Sequence, residues 1–236
     1  AENADRASLK KLADAAEKLT DGNYTSDSIA KLNDAISKAK ADKDQNDPAL
    51  DQANITAMKE AKAALVSIVD LKAALNEAAQ HKAGTYTVSS YKLLKDAVTN
   101  AEPLKVNGTK EEVANAAAAI RAAIKGLDKR AVGLDEYRDS IVLKKPEGYT
   151  EESYAAYKNA YDALMALDSK ETTAEMFANA KSAFEAAQAG LVQKPGSNGT
   201  GSSSNGTVSN GAVATGDTVN VSALAGLFLS LLMIAA

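Results

Sequence analysis

The sequence predicts an all-α fold: a tandem array of three three-helix bundles, followed by a disordered linker and an apolar C-terminal helix. Three observations lead to this prediction. Apolar residues recur at helical spacing along successive segments, the same pattern of segments returns about every 62 residues, and the composition changes abruptly near the C-terminus. Because β-branched and aromatic residues never alternate over a long run, almost no sheet is expected.

Composition narrows the classes of function. Hydrophobic residues make up 45% of the chain, enough to form cores, and much of this content is alanine, which suits closely packed helices. The formal net charge is -4, and basic residues alternate with acidic ones along every helical segment, so nucleic-acid binding is not expected. The chain has no cysteine, which excludes thiol nucleophiles, disulfides and cysteine-based zinc sites.

A short motif, Tyr-Thr-x-x-Ser, marks each repeat. Its tyrosines lie 62 and then 63 positions apart. The three copies begin with Tyr24 and Thr25, with Tyr86 and Thr87, and with Tyr149 and Thr150. Each threonine falls where an N-cap hydroxyl would accept a hydrogen bond from the first helical turn, and each tyrosine is placed to pack where that helix begins. A structural role therefore accounts for the motif.

Each repeat contains three amphipathic segments, one before the motif and two after it. In the first repeat the apolar faces carry Leu9, Leu12, Ala16 and Leu19, then Ile29, Leu32 and Ile36, and then Met58, Ala61 and Leu65. This spacing is one face of a helix. Start signals support the third helices: Asp47 is an N-cap before Pro48, and Thr109–Glu112 and Thr172–Glu175 have the pattern of capping boxes.

The joins between repeats are predicted to differ. The repeats span residues 1–69, 70–130 and 131–193. Between Pro48 and Lys82 no glycine or proline interrupts the helical pattern, so we expect the third helix of the first repeat to continue into the second repeat. Between the second and third repeats, Gly126 and Gly133 predict a break or hinge, because glycine is unfavourable inside a helix.

The pattern that runs from Leu9 through Tyr24, Thr25 and Ser28 to Leu65, with its two later copies, resembles FIVAR repeats. These modules occur in many large surface and secreted proteins of Gram-positive bacteria, and the resemblance covers about residues 8–192. It implies three-helix bundles placed beside glycoside hydrolase or carbohydrate-binding domains, or joined into long adhesins. It also implies a spacer or interaction role, with no catalytic residue to transfer and no enzymatic activity.

The C-terminal region consists of two predicted segments. Residues 194–213 are rich in Gly, Ser, Asn and Thr, as expected of a flexible linker. Residues 214–236 resemble a Gram-positive cell-wall sorting signal, in which sortase cuts between Thr and Gly and joins the threonine to the wall. Thr215 and Gly216 match that pair. The resemblance implies sortase and peptidoglycan as partners, and contact with the membrane through the apolar tail before processing.

The tail departs from the sorting pattern in two respects. Ala212 and Val213 stand where the motif has Leu and Pro, and the 16-residue apolar run at 221–236 is shorter than a bilayer span and is followed by no basic cluster. A GPI signal is the competing interpretation, because small residues at 210–212 precede a polar spacer and an apolar tail. A plain membrane anchor or a functionless terminus are the further alternatives. The sorting signal, the GPI signal and the membrane anchor would each place the repeats outside the cell.

Few residues suggest a metal or cofactor site. His81 is the only histidine, so no multi-histidine site can form within this chain. The segment 42–47 resembles the start of an EF-hand loop, but glycine is missing at its sixth position and Ala53 replaces the glutamate at its twelfth. A polar turn ending in the N-cap Asp47 explains the segment better, so we expect no metal and no cofactor.

Tyrosines at helical spacing in the third repeat are the best candidates for ligand contact. Tyr154, Tyr157 and Tyr161 could form a surface for a glycan or a protein. Their spacing coincides with the core face of the other repeats, so core packing is favoured. The resulting hypothesis is a non-catalytic extracellular spacer or interaction module on a Gram-positive cell wall. The alternatives are adhesin repeats that bind a glycan or host protein, and the C-terminal accessory region of a larger secreted glycoside hydrolase.

Overall fold

A computed structural model describes residues 4–19, 21–42, 45 and 47–195, which all belong to the compact unit Ala1–Pro195. Within these residues the structure is helical and has isolated β-bridges but no strand, as the sequence predicts. The helices are α1 (Ala4–Glu17), α2 (Ser26–Ala41), α3 (Pro48–Ala63), α4 (Val69–Ala78), α5 (Val88–Ala101), α6 (Leu104–Asn107), α7 (Lys110–Lys125), α8 (Leu134–Ser140), α9 (Glu151–Met165) and α10 (Ala174–Ala189). None of these helices has the length and apolar character needed to cross a membrane.

Three separate clusters of buried side chains hold the helices together. The first joins α1, α2 and α3, the second joins α4, α5 and α7, and the third joins α8, α9 and α10. We call these groups of helices the first, second and third triplets. Aliphatic residues fill the first two clusters, whereas Tyr157 and Phe184 are the largest fully buried side chains of the third. The short α6 lies between α5 and α7 and was not foreseen from the sequence.

The predicted starts of the third helices are confirmed in two triplets. Asp47 caps α3, because its carboxylate accepts a hydrogen bond from the Ala49 N–H at 2.9 Å, and Pro48 follows in the first turn. Thr109 and Glu112 form the predicted capping box of α7: the Glu112 N–H donates to the threonine hydroxyl at 3.2 Å, and the Thr109 N–H donates to the carboxylate at 2.8 Å. Each cap satisfies N–H groups that have no partner inside the helix.

The third capping prediction is wrong by one residue. Thr173, not Thr172, is the N-cap of α10, and its hydroxyl accepts a hydrogen bond from the Met176 N–H at 3.2 Å. The Thr172 side chain is buried, and its hydroxyl donates to the Asp168 carbonyl at 2.6 Å. The Thr172 hydroxyl thus closes the loop before α10, and the cap falls to the next residue.

The prediction of one continuous helix across the first join is also wrong. Helix α3 ends at Ala63 and α4 begins at Val69. Between them the backbone of 66–68 bonds to the segment before α2: the Thr25 N–H donates to the Val66 carbonyl at 2.9 Å, and the Ile68 N–H donates to the Asn23 carbonyl at 2.9 Å. These bonds replace the hydrogen bonds of a helix, so the helix stops without a glycine or a proline.

The predicted break at the second join is confirmed. Helix α7 ends at Lys125, and α8 begins at Leu134 after Gly133. Gly133 has a φ of 79°, in the left-handed region that glycine adopts readily. The residue before α8 can therefore turn the chain into the third triplet without backbone strain.

A buried ion pair distinguishes the core of the first triplet. The Arg6 guanidinium lies 2.7 Å from the Asp51 carboxylate, and the two side chains are only 4% and 0% exposed. One repeat later the corresponding positions hold Ile68 and Val113, which are both buried. The same place in the fold is thus ionic in the first triplet and apolar in the second.

We expect Asp51→Val to destabilise the first triplet by about 3–5 kcal/mol, because it removes the buried carboxylate that faces the Arg6 guanidinium. The double variant Arg6→Ile, Asp51→Val copies the apolar pair of the second triplet and should recover most of that loss, since a well-packed apolar pair can replace a buried ion pair. Urea unfolding of the full chain measures both free energies. A double variant no more stable than Asp51→Val alone would contradict this account of the core.

Candidate functional site

Each Tyr-Thr-x-x-Ser motif forms a small hydrogen-bonded connection to the segment that leaves the third helix of the same triplet. We call this connection the clasp. Clasp 1 joins 23–28 to 66–68, clasp 2 joins 85–90 to 128–130, and clasp 3 joins 148–153 to 192–194. In each clasp the threonine N–H donates to a carbonyl of the leaving segment at 2.8–2.9 Å, and an N–H two residues later donates back. The paired backbones are antiparallel.

The motif serine completes each clasp. The Ser28 hydroxyl donates to the Thr25 carbonyl at 3.0 Å and accepts hydrogen bonds from the Thr25 hydroxyl at 2.9 Å and from the Val66 N–H at 3.2 Å. One donor and two acceptor sites are the full capacity of a hydroxyl. Ser90 accepts from the Asp128 N–H and Ser153 from the Val192 N–H in the same way. This role of the serine was not predicted from the sequence, although the serine recurs at the same position in all three copies.

The motif threonines occupy the predicted N-cap positions of α2, α5 and α9, but the predicted cap bond forms in only one of them. The Thr87 hydroxyl accepts from the Ser90 N–H at 3.4 Å. The Thr25 and Thr150 side chains make no cap bond to the helix. Their hydroxyls, like that of Thr87, bond to the hydroxyl of the serine three residues later.

The motif tyrosines are half-buried and make a different contact in each triplet. Tyr24 packs against the first cluster. The Tyr86 hydroxyl lies 2.8 Å from Nδ1 of His81, and the two rings are 5.5 Å apart. The Lys144 ammonium lies 6.0 Å from the centre of the Tyr149 ring. The tyrosine therefore packs beside the clasp, as predicted, and His81 is engaged in this packing.

Hydrogen bonds also cross from one triplet to the next. At the second join, the Glu171 carboxylate accepts from the Ser89 hydroxyl at 2.7 Å and from the Ser89 N–H at 3.1 and 3.2 Å. The Val88 N–H, in the first turn of α5, donates to the Lys170 carbonyl at 3.1 Å. At the first join, the Lys110 ammonium donates to the Ala63 carbonyl at 3.0 Å. Consecutive triplets are thus in direct contact beyond the chain that joins them.

The three candidate tyrosines of the third repeat lie together in its core. Tyr157 is fully buried, and its ring is 5.5 Å from that of Phe184. Tyr161 packs on the same phenylalanine at 6.0 Å, and Tyr154 packs on Tyr157 at 6.0 Å. The Tyr154 hydroxyl donates to the Lys144 carbonyl at 2.8 Å. Ligand contact stays a prediction for the half-buried Tyr154 and Tyr161, whereas Tyr157 has no exposed surface.

Asp42 and Asp47, which belong to the described part of the EF-hand-like segment, serve the local fold. The Asp42 carboxylate accepts hydrogen bonds at 3.0 Å from the Asn54 amide and from the Lys38 ammonium. The Asn54 bond, and then the Lys38 bond, hold the pKa of Asp42 below its usual value. Asp47 caps α3. Among the described residues no group of three or more His, Cys, Asp or Glu side chains could hold a metal ion.

Other candidates lie outside the described residues. They include Thr215 and Gly216, the predicted linker from 196 to 213, and three positions of the EF-hand-like segment, namely 43, 44 and 46. No family model matches the chain, and neither the curated proteins nor the solved structures contain a match.

We expect Ser90→Ala to weaken clasp 2 and to lower the free energy of unfolding by about 1–3 kcal/mol, because the Asp128 N–H loses its acceptor. Hydrogen exchange of the Asp128 amide should become faster in the same variant, and both quantities can be measured on the full chain. Ser182→Ala, on an exposed position of α10, is the matched control and should change neither. Equal stability of the two variants would show that the serine hydroxyl does not hold the clasp.

Proposed function

We propose that the chain is a non-catalytic spacer and interaction module of the FIVAR type, a tandem array of three three-helix bundles that projects or links other domains. The observation that carries this proposal is the clasp. In all three copies the segment that leaves the third helix is bonded to the motif of its own triplet. In the first two copies this segment then leads into the first helix of the next triplet. The place where each triplet begins thus depends on fixed hydrogen bonds and not on a loose linker.

Contacts across the joins support the same role. A spacer works only if consecutive units keep a defined arrangement, and flexible connections lose that property. The bonds between Ser89 and Glu171 and between Lys110 and Ala63 each link neighbouring triplets. Both joins therefore contain contacts that resist free rotation of one triplet against the next.

The non-catalytic part of the proposal rests on what the repeated polar side chains do. The hydroxyls of Thr87 and Ser90 are buried and bonded to each other, and the serine also accepts from the Asp128 N–H. A nucleophile needs an adjacent base and access to substrate. These hydroxyls have neither, because their partners are hydroxyl and backbone groups of the clasp.

The location is proposed from the C-terminal sequence. Thr215 and Gly216 match the pair that sortase cleaves, and an apolar run follows them. On this proposal the chain is extracellular and attached to the peptidoglycan of a Gram-positive wall through sortase. Before processing, the apolar tail holds it at the membrane.

Removal of one repeat tests the spacer role. The full chain is displayed on a Gram-positive host with an epitope placed before residue 1, and residues 69–130 are deleted so that Ile68 is joined to Ala131. Binding of an antibody to the epitope on intact cells should fall, because the epitope lies nearer the wall. A variant of full length, in which a second copy of 6–67 replaces residues 68–129, keeps the Arg6 and Asp51 pair together and should restore it. Unchanged antibody binding after the deletion would contradict the proposal.

Thr215→Ala tests the anchor. Sortase joins the threonine carbonyl to the wall, so we expect this variant to move from the wall fraction to the membrane fraction or the medium. Thr207→Ala, in the predicted linker, is the control and should stay in the wall fraction. Immunoblotting of the separated fractions measures the distribution. A wall-bound Thr215→Ala variant would exclude sortase cleavage at this position.

A further inference from the structure

A groove of about 480 Å³ lies between α4 and α5 of the second triplet. Its apolar part includes Leu75, Leu94 and Val98, which are buried or half-buried. Lys72, Lys95 and Lys105 also line it. The volume is in the range of sites that bind small molecules, which are mostly apolar and carry a few placed polar groups.

In the first triplet an exposed ion pair spans the corresponding place. There the Lys40 ammonium, near the end of α2, contacts the Glu17 carboxylate at the end of α1. The positions one repeat later hold Glu102 and Ala79. Since alanine has no charge to offer, the second triplet cannot form this bridge between its first two helices.

The third triplet closes the corresponding place with larger side chains. Arg138 stands where the second triplet has Leu75, and its guanidinium donates to the Leu164 carbonyl at 3.1 Å and to the Leu167 carbonyl. Tyr161 stands where the second triplet has Val98. Both neighbours thus fill or bridge a space that the second triplet leaves open.

The charge of the groove selects the kind of ligand. Three lysines and one glutamate, Glu102, line it, on a chain whose formal net charge is -4. Lys105 pairs with Glu102, but both side chains are more than a third exposed, and such pairs exchange partners at little cost. An anion is therefore attracted to this groove, although the chain as a whole repels it.

We propose that this groove binds a small amphiphilic anion, a carboxylate or sulfate head on an aliphatic body. Leu75, Leu94 and Val98 contact the body, and Lys95 and Lys105 bind the head. Burial of the apolar body supplies the driving force, and the lysines supply the preference for charge. This site does not depend on the spacer function, because a spacer needs no groove in its middle triplet.

Calorimetric titration of the full chain with decanoate tests the proposal, with decanol as the neutral counterpart and acetate as the head alone. We expect saturable binding of decanoate at one site, weaker binding of decanol and no binding of acetate. Lys95→Gln with Lys105→Gln should weaken decanoate binding by about tenfold or more, because bonds to a charged head are lost. Absence of saturable decanoate binding, or decanol bound equally well, would overturn the proposal.

A second variant separates closure of the groove from loss of charge. Ala79→Glu with Glu102→Lys copies the bridge of the first triplet, keeps the net charge and changes only exposed positions. It should also weaken decanoate binding, by less than the lysine variants do, because the apolar body must displace an ion pair that is exposed and opens at little cost. Ala57→Glu with Glu60→Lys makes the same exchange on the exposed face of α3 and should bind as the unchanged chain does. Undiminished binding by the bridged variant would contradict the proposed position of the site. Circular dichroism checks that the bridged variant has folded, and if it has not, the result for the Lys95→Gln, Lys105→Gln variant decides the test.

Discussion

The hydroxyl of the motif serine links two parts of each triplet that are far apart in sequence. Ser28 reaches Val66, and Ser90 reaches Asp128, each across 38 positions. In both clasps the serine also holds the threonine that begins the second helix. The direction in which the chain leaves the third helix is thus set relative to the start of the second helix. The leaving segments of the first two triplets lead into α4 and α8, so this hydroxyl, together with the backbone bonds of the clasp, helps to place the triplet that follows.

Helical periodicity predicts most of the fold because it reports which side chains are buried. The same property explains where the prediction failed. Leu65 and Ile68 are both buried, so the apolar pattern continues across the first join although the helix does not. The backbone of this segment bonds to residues near Tyr24, and a partner so distant in sequence leaves no local signal. Gly133, by contrast, marks the second join locally, and the break there could be predicted.

In the candidate sites too, roles that depend on neighbouring residues could be predicted, whereas roles that depend on residues distant in sequence could not. The N-cap position of Thr87 depends on neighbouring residues and was predicted from them. The role of Ser90 depends on Asp128 and became clear only from the structure. The groove of the second triplet lacks the ion pair of the first, since Ala79 stands where the first triplet has Glu17. Only a comparison of the three folded copies makes such an absence visible.

The three cores differ in chemistry, and this difference affects how a chain of repeats avoids misfolding. Neighbouring copies of one module can exchange helices while they fold, which is a characteristic error of repeat proteins. A third helix from the first triplet that docked into the second would bury Asp51 against Ile68 instead of Arg6. An uncompensated buried charge is strongly destabilising. The Arg6 and Asp51 pair therefore favours packing of α3 against α1 of its own triplet over packing against the first helix of the second triplet.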